Sequence, residues 1–402
     1  MGSNFICLGE IANLSSGGTP SKRREDYWGG SIPWVSAKSM DADRLNSNLL
    51  FITEEGLEAG SRLAPSGSIL LLTRGSGLFN RIPVIWIDAP LAFNQDIKCI
   101  TAKDPLETRY VYHWLCSQRE HLSKILDVTG IGAGKINTDQ LLSLDMFWPD
   151  YSTRRKIVAI ADSLVKKLMI NQEENDYLAE LLLALQKQTE ETEELAESRA
   201  DELFSIHIGK TPPRKEHEWF SFNRAGNVIW MSIKDMGSGD VYLIDSSEYL
   251  TPEAVEKHNV KKCSPGSILL SFKLTVGRVG IAASEMVTNE AIACFSSDDS
   301  RKLAYLYPLL KSYDYASLGR TSSIAVAVNS RMIKAMKIKM PSSAALDRYY
   351  AQAEPIYDLL LDNAKETAAL VGLRDALLPR LMSGEIDVSE VEVPTQLNNH
   401  FA

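Results

Sequence analysis

The side chains in this sequence best placed to do chemistry are cations that recur at matched positions. Lys22-Arg23-Arg24 and Arg214-Lys215 each follow a Thr-Pro pair, at Thr19-Pro20 and Thr211-Pro212. Lys38 and Lys234 each stand four residues after a tryptophan, Trp34 and Trp230. Arg74 and Lys273 end the strands that open with Gly-Ser-Ile-Leu-Leu, each three residues past that run, and Lys210 directly precedes the second Thr-Pro pair. Such groups neutralise phosphates, and an arginine can also grip the edge of a guanine in a major groove. Any one of them alone reads as solvated surface. Their recurrence at matching places makes all ten candidate contacts to nucleic acid. Trp34 and Trp230 read as core residues beneath these loops rather than as stacking platforms.

Catalytic signatures are missing. An amino-methyltransferase that holds a flipped base is expected to carry an Asn/Asp-Pro-Pro-aromatic motif. The one Pro-Pro pair, Pro212-Pro213, lies between Thr211 and Arg214 instead. Thr129–Ile136 approaches a phosphate-binding loop, but Thr129 holds the first glycine place and Ile136 the place of the magnesium-ligating hydroxyl, so it reads as a flexible loop. Of the six dispersed histidines, His113 and His121 fall on one helical stretch and read as surface or capping residues. Cys7, Cys99, Cys116, Cys263 and Cys294 form no CxxC pair, which argues against a disulfide framework or a zinc ribbon. No catalytic residue, metal site or cofactor of its own is expected. A cytoplasmic protein with reduced thiols is.

Net charge is −9, which looks wrong for a DNA binder until the chain is divided. Residues 1–150 are net −3, 151–200 net −3, 201–342 net +3 and 343–402 net −6. The two long segments thus sum to zero. DNA binding needs a local basic face, not a basic chain. No apolar run approaches the length of a membrane span, and Met1-Gly2-Ser3-Asn4-Phe5 does not resemble the start of a signal peptide.

The elements that must position the cations come in two copies. Gly17-Gly18-Thr19-Pro20-Ser21-Lys22-Arg23 recurs 192 residues later as Gly209-Lys210-Thr211-Pro212-Pro213-Arg214-Lys215. Ile32–Met40 recurs as Val228–Met236, Gly67–Leu71 as Gly266–Leu270, Asn94 as Asn289, and Pro149 as Pro341. Apolar runs predict strands at Ile32–Ser36, Ser68–Thr73, Val84–Ile87 and Asp96–Ile100. Their counterparts are Val228–Ile233, Ser267–Phe272, Val279–Ala283 and Ala291–Phe295. Helices are expected over Arg109–Leu126 and Lys302–Tyr315. Each copy therefore reads as an α+β domain.

A different pattern follows each copy. Ala161, Leu164, Leu168, Asn171, Asn175, Leu178, Leu182 and Leu185 are spaced alternately three and four apart, the seam of a coiled coil. Ala353, Ile356, Leu360, Asn363, Thr367, Leu370, Arg374 and Leu377 repeat it, each 192 residues later. Two such helices would bury their seams on each other in antiparallel fashion, and Asn171 and Asn363 would hold equivalent polar places. Pro355 is expected to kink the second helix or to precede its main part. The acidic tail after Glu385 is expected to be poorly ordered.

In this order the segments resemble the specificity subunits of type I restriction-modification systems. The GGTPS loop leading through Tyr27-Trp28 to IPWVSAKSM is similar to the opening of a target-recognition domain in that family. Gly134–Asn137 with Phe147-Trp148-Pro149 resembles the end of one, and Leu373–Ile386 the terminal helix and stop. The second copy departs at Lys210 and Pro213 and lacks a clear Gly-Lys-Ile-Asn. The resemblance implies target-recognition domains at 1–150 and 201–342, related by a pseudo-twofold axis. Spacer helices are implied at 151–200 and 343–402, the latter with a tail. It further implies a non-catalytic subunit that reads a bipartite site in double-stranded DNA. Two modification subunits would bring S-adenosylmethionine, and restriction subunits would bring ATP and magnesium. The alternative is a coiled-coil scaffold for protein partners that reads no DNA.

Overall fold

The computed structural model describes residues 4–40, 44–46, 49–130, 132–318 and 328–392. The chain divides into two compact units, Met1–Lys167 with Val371–Ala402, and Leu168–Leu370. Each unit holds one α+β domain and parts of two long helices, Tyr151–Thr192 and Ser343–Met382.

In the first unit an antiparallel sheet runs in the order Asn13–Ser16, Ile97–Thr101, Ser68–Leu72, Val84–Ile87. A second sheet runs Leu50–Ile52, Trp28–Val35, Leu91–Phe93, Leu63–Ala64, with Trp34 and Ala92 in parallel register. Helix Pro105–Ser117, capped by the Asp104 carboxylate, covers the first sheet and buries Leu106, Tyr110, Val111 and Trp114. The second unit repeats the plan. Ser205–Ile208, Ile292–Ser296, Ile268–Ser271 and Val279–Ala282 take the same order, extended by Tyr242–Leu243. Its other sheet holds Phe220–Ser221, Tyr249–Leu250, Val228–Met231, Met286–Thr288 and Lys262–Cys263. The expected strands are all present, with ends moved by a few residues. Lys302–Tyr315 appears as helix Ser300–Ser312, but the helix expected over Arg109–Leu126 is two, Pro105–Ser117 and Arg119–Lys124, parted at Gln118.

Both long helices start just after a proline and are capped by a side chain. Asp150 accepts from the Thr153 amide at 3.1 Å and Ser342 from the Ala345 amide at 3.3 Å. Each satisfies an amide that the first turn leaves without a partner. All sixteen seam positions are buried or half-buried. In the second unit Leu178 and Leu182 pack with Ala353, Ile356 and Leu360. In the first, Ile157, Val158 and Ala161 share a core with Leu378, Leu381 and Met382. Each of the leucine, isoleucine, valine and methionine side chains contributes about 1.5–3 kcal/mol when fully buried, the alanines less.

Three further expectations change. The first long helix stops at Thr192, and Leu195–Arg199 is a strand paired with Lys337–Pro341, not the end of a helix reaching residue 200. Glu190, Glu191, Glu193 and Glu194 crowd that helix terminus, where the helix dipole disfavours negative charge. The second long helix runs from Ser343 through Pro355 as one element, so the proline does not precede its main part. Pro355 and Ala351, whose carbonyl it leaves without a donor, are both exposed, so water can take the lost bond. The tail is ordered as far as Val388, which is 1% exposed in the first unit's core, while Lys156 donates to the Ser389 carbonyl. Residues 393–402 of that tail lie outside those described.

Candidate nucleic-acid interface

The Thr-Pro loops are held to the two domains by the same set of bonds. Trp34, 3% exposed, donates its indole N–H to the Gly18 carbonyl at 3.1 Å. Trp230, 2% exposed, donates to the Lys210 carbonyl at 3.4 Å. Both tryptophans are therefore core tethers, as their positions suggested. The Gly18 amide donates to the Phe93 carbonyl (2.9 Å) and the Lys210 amide to that of Thr288 (2.8 Å). Thr19 Oγ1 bonds to Gln95, and Thr211 Oγ1 to Glu290. The loops press so closely on the sheet that a Cβ on Gly17 would lie 2.0 Å from the Phe93 oxygen. One on Gly209 would lie 2.2 Å from the Thr288 oxygen.

All ten candidate cations are exposed. Among the described residues, three of them make side-chain hydrogen bonds within the protein, and Lys273 Nζ lies 5.6 Å from the Phe272 ring. Arg24 donates twice to Asp26 (2.9 and 2.6 Å). Arg214 donates twice to Glu248 (2.8 and 2.9 Å), and its guanidinium lies 4.4 Å from the Phe220 ring and 4.5 Å from Trp230. Lys210, which replaces Gly18, reaches the His258 carbonyl at 2.7 Å. Lys22, Arg23 and Lys215 occupy the same two loops. Lys38 and Lys234 lie in the short turns that follow the Trp34 and Trp230 strands. Lys273 begins an outward loop whose next residue, Leu274, is 98% exposed at φ 61°.

Arg74 has company that sequence reasoning missed. It lies opposite Lys135 in a small sheet, and Lys98 stands close enough to feel both charges. Burial, then repulsion from Arg74 and Lys135, pulls the Lys98 ammonium below its ordinary range, while its Nζ donates to Ser16 Oγ at 2.6 Å. This marks a local positive field on a domain that is net negative. Lys98 interrupts the otherwise apolar Ile97–Ile100 run, a signal that was available. In the second domain the corresponding strand position holds Ala293.

The other motifs resolve plainly. Thr129–Ile136 contains a hairpin turn between two short strands, in which the Thr129 and Ala133 amides bond within the loop. The helix that follows begins only at Thr138, after the second strand, and its N-terminus is capped by the Asn137 side chain. His121 is exposed as expected, but His113 is not. It is 1% exposed, with Nε2 2.6 Å from Asp162 Oδ1, an oxygen that also accepts from Arg109 Nε at 2.6 Å. Burial pushes the imidazole down, and the Asp162 carboxylate opposes this only in part, so the group lies below its ordinary 6.5. For Asp162, burial pushes the carboxyl up, but the bonds and charges of His113 and Arg109 outweigh it and hold the group below its ordinary 3.8. With His113 buried and Arg109 and Asp162 half-buried, this triad joins the first long helix to the first domain.

Comparison with known proteins agrees. The model of the type I restriction modification DNA specificity domain matches twice, over residues 2–180 and 192–353. The EcoR124I/EcoR124II specificity subunit of Escherichia coli is 31% identical over 45% of this chain and 48% of its own length. The MjaIX specificity subunit of Methanocaldococcus jannaschii is 24% identical over 95% of this chain and 93% of its own. The crystal structure of a type I restriction-modification S subunit from M. genitalium shares the fold, with a TM-score of 0.50, 15% identity and coverage of 94% and 95%. A duplicated, tethered loop on a duplicated α+β frame, matched twice by one domain model, places this chain in the family of type I restriction-modification DNA specificity subunits.

Proposed function

We propose that the chain reads a bipartite site in double-stranded DNA, one half with each target-recognition domain, and performs no catalytic step itself. The observation that carries this reading is the shared tether. Two loops bearing Lys22-Arg23-Arg24 and Arg214-Lys215 hang from equivalent tryptophans, carbonyls and threonines. A frame kept in duplicate while its cations vary suits one task performed on two different sequences. The Arg74–Lys98–Lys135 cluster would position phosphates for the first half-site. Lys273 and Leu274 offer the second a cation beside an apolar group, a combination that suits a phosphate and a thymine methyl.

Methyl transfer and cleavage would belong to partners: two modification subunits binding S-adenosylmethionine, and restriction subunits using ATP and magnesium. Work on cellular DNA would place the chain in the cytoplasm. Among the described residues no helix is long and apolar enough to cross a membrane. The decisive experiment is the methylome of a strain carrying the whole system. A split motif that vanishes when this chain is deleted is the expected result, with no methyl transfer by the chain purified alone. A continuous motif, or transfer by the isolated chain, would overturn the reading.

A further inference from the structure

The second domain contains a group of side chains that DNA reading does not use. His207, Cys263 and Cys294 bring their ligand atoms within 4.8 Å of one another, with Cys263 Sγ 3.6 Å from His207 Nε2. The two thiols are fully buried and the imidazole is half-buried. They come from three strands in two different sheets: Ser205–Ile208 and Ile292–Ser296 in one, Lys262–Cys263 in the other. Two thiolates and an imidazole around a tetrahedral ion at ordinary bond lengths would stand about 3.5–3.8 Å apart.

Two further observations point to a ligand. Ser267 Oγ lies beside the Cys294 thiol and Thr288 Oγ1 beside that of Cys263, and neither buried hydroxyl has another hydrogen-bond partner. Hydroxyls so placed are suited to support metal-bound thiolates. The first domain supplies an internal control. Register places Ser15 opposite Cys99 as it places His207 opposite Cys294, and Ala64 occupies the place of Cys263. One cysteine thus belongs to the shared frame, while the imidazole and the second thiol belong to the second copy alone.

We propose that His207, Cys263 and Cys294 bind one thiophilic cation, Zn²⁺ or Cu(I), in the second domain. Soft thiolates with an imidazole select these ions over magnesium or calcium. The ion would clamp the two sheets beneath the Gly209–Thr211 loop, whose anchor is the Thr288 carbonyl. Binding would displace protons from the thiols. The fourth position on zinc would fall to water, whereas Cu(I) is satisfied by three donors.

The test uses the full chain, reduced and freed of metal, loaded with Zn²⁺ or, without oxygen, Cu(I), and desalted before elemental analysis. One equivalent of either ion per chain is expected, with a rise in Tm. His207→Ser and Cys263→Ala install the first domain's residues. Each should weaken retention at least about tenfold, the loss that removing even a supporting hydrogen-bond partner causes, and a Cys7→Ala/Cys116→Ala variant should retain the ion. Co²⁺ added to the unaltered chain should give a thiolate-to-metal charge-transfer band, which reports the site even where a variant folds poorly. Failure of the unaltered chain to retain either ion, or retention unchanged in both ligand variants, would overturn the proposal.

Discussion

Asn171 and Asn363 lie 192 residues apart and make the same bonds to each other's helix. Asn171 Nδ2 donates to Glu366 at 2.9 Å and Thr367 at 3.3 Å; Asn363 Nδ2 donates to Glu174 at 3.0 Å and Asn175 at 3.1 Å. Subtracting 192 from Glu366 and Thr367 gives positions 174 and 175, so the contact is its own mirror under the duplication. A self-complementary contact of this kind implies a local twofold axis. The Arg348–Glu193 bridge at 2.6 Å, just past the end of the first helix and early in the second, shows that the helices run antiparallel. It also fixes register, because a slipped helix would leave a buried amide unpaired.

The symmetry can be tested with charge. Asn171→Asp sets a carboxylate against Glu366, and Asn363→Asp sets one against Glu174. Each should cost about 2 kcal/mol in urea unfolding. The two losses should match and shrink as pH falls and the carboxyls protonate. Clearly unequal losses would show that the contact is not symmetric.

His113 predicts acid sensitivity. Its folded pKa lies below the ordinary 6.5, so as pH falls the unfolded chain takes up a proton first. The stabilisation is complete above about 6.5 and is lost as pH drops toward the folded value, with a slope of at most about 1.4 kcal/mol per pH unit. Asp162, also lowered, acts in the same direction below 3.8. Urea midpoints measured from about pH 7.5 to 5.5 should fall in the native chain and flatten in His113→Gln. An unchanged slope in the variant would assign the acid sensitivity elsewhere.

Salt titration separates positioning cations from surface charge. Replacing Lys22, Arg23 and Arg24 by alanine should weaken DNA binding and flatten its log–log salt slope by about 0.9 for each phosphate no longer neutralised. The same holds for Arg74, Lys98 and Lys135 together, and for Arg214 with Lys215 at the other half-site. The Arg214 variant also removes the Glu248 bridge, so Tm must be measured alongside. Unchanged slopes in all three variants would place these faces away from DNA.

The close loop contacts give a backbone prediction. Gly17→Ala and Gly209→Ala each drive a methyl group into a carbonyl oxygen, at 2.0 and 2.2 Å. Overpacking of this kind costs about 1–3 kcal/mol. Each variant should lower Tm and weaken recognition of one half-site, leaving the bases read at the other unchanged in a binding-site selection.

The spacer predicts a change of distance without a change of letters. Four residues inserted after Leu178, within the buried seam, lengthen a helix by about 6 Å. The number of unspecified bases should change while the half-site bases stay fixed. Exchanging residues 1–150 for another domain of the family should do the opposite. Altered half-site bases at fixed spacing in a folded insertion variant would exclude the spacer as the ruler.

The sequence by itself determined whatever is written in local order. The duplication at 192, the strand-rich α+β copies, the Thr-Pro loops and the heptad seam are all periodic or contiguous signals. The physics behind them, pleat alternation and helical turn, acts over a few residues. Tertiary structure decided what depends on register between distant strands and helices. It buried His113 against Asp162, which lies 49 residues on, because a sequence cannot show that a helix face will be covered from outside. It drew Lys98 and Lys135 to Arg74 through sheet pairing. It let the second long helix pass Pro355, whose missing bond faces water. It also gathered His207, Cys263 and Cys294, spaced far beyond any local metal motif, because two sheets close over one another only after the whole chain has folded.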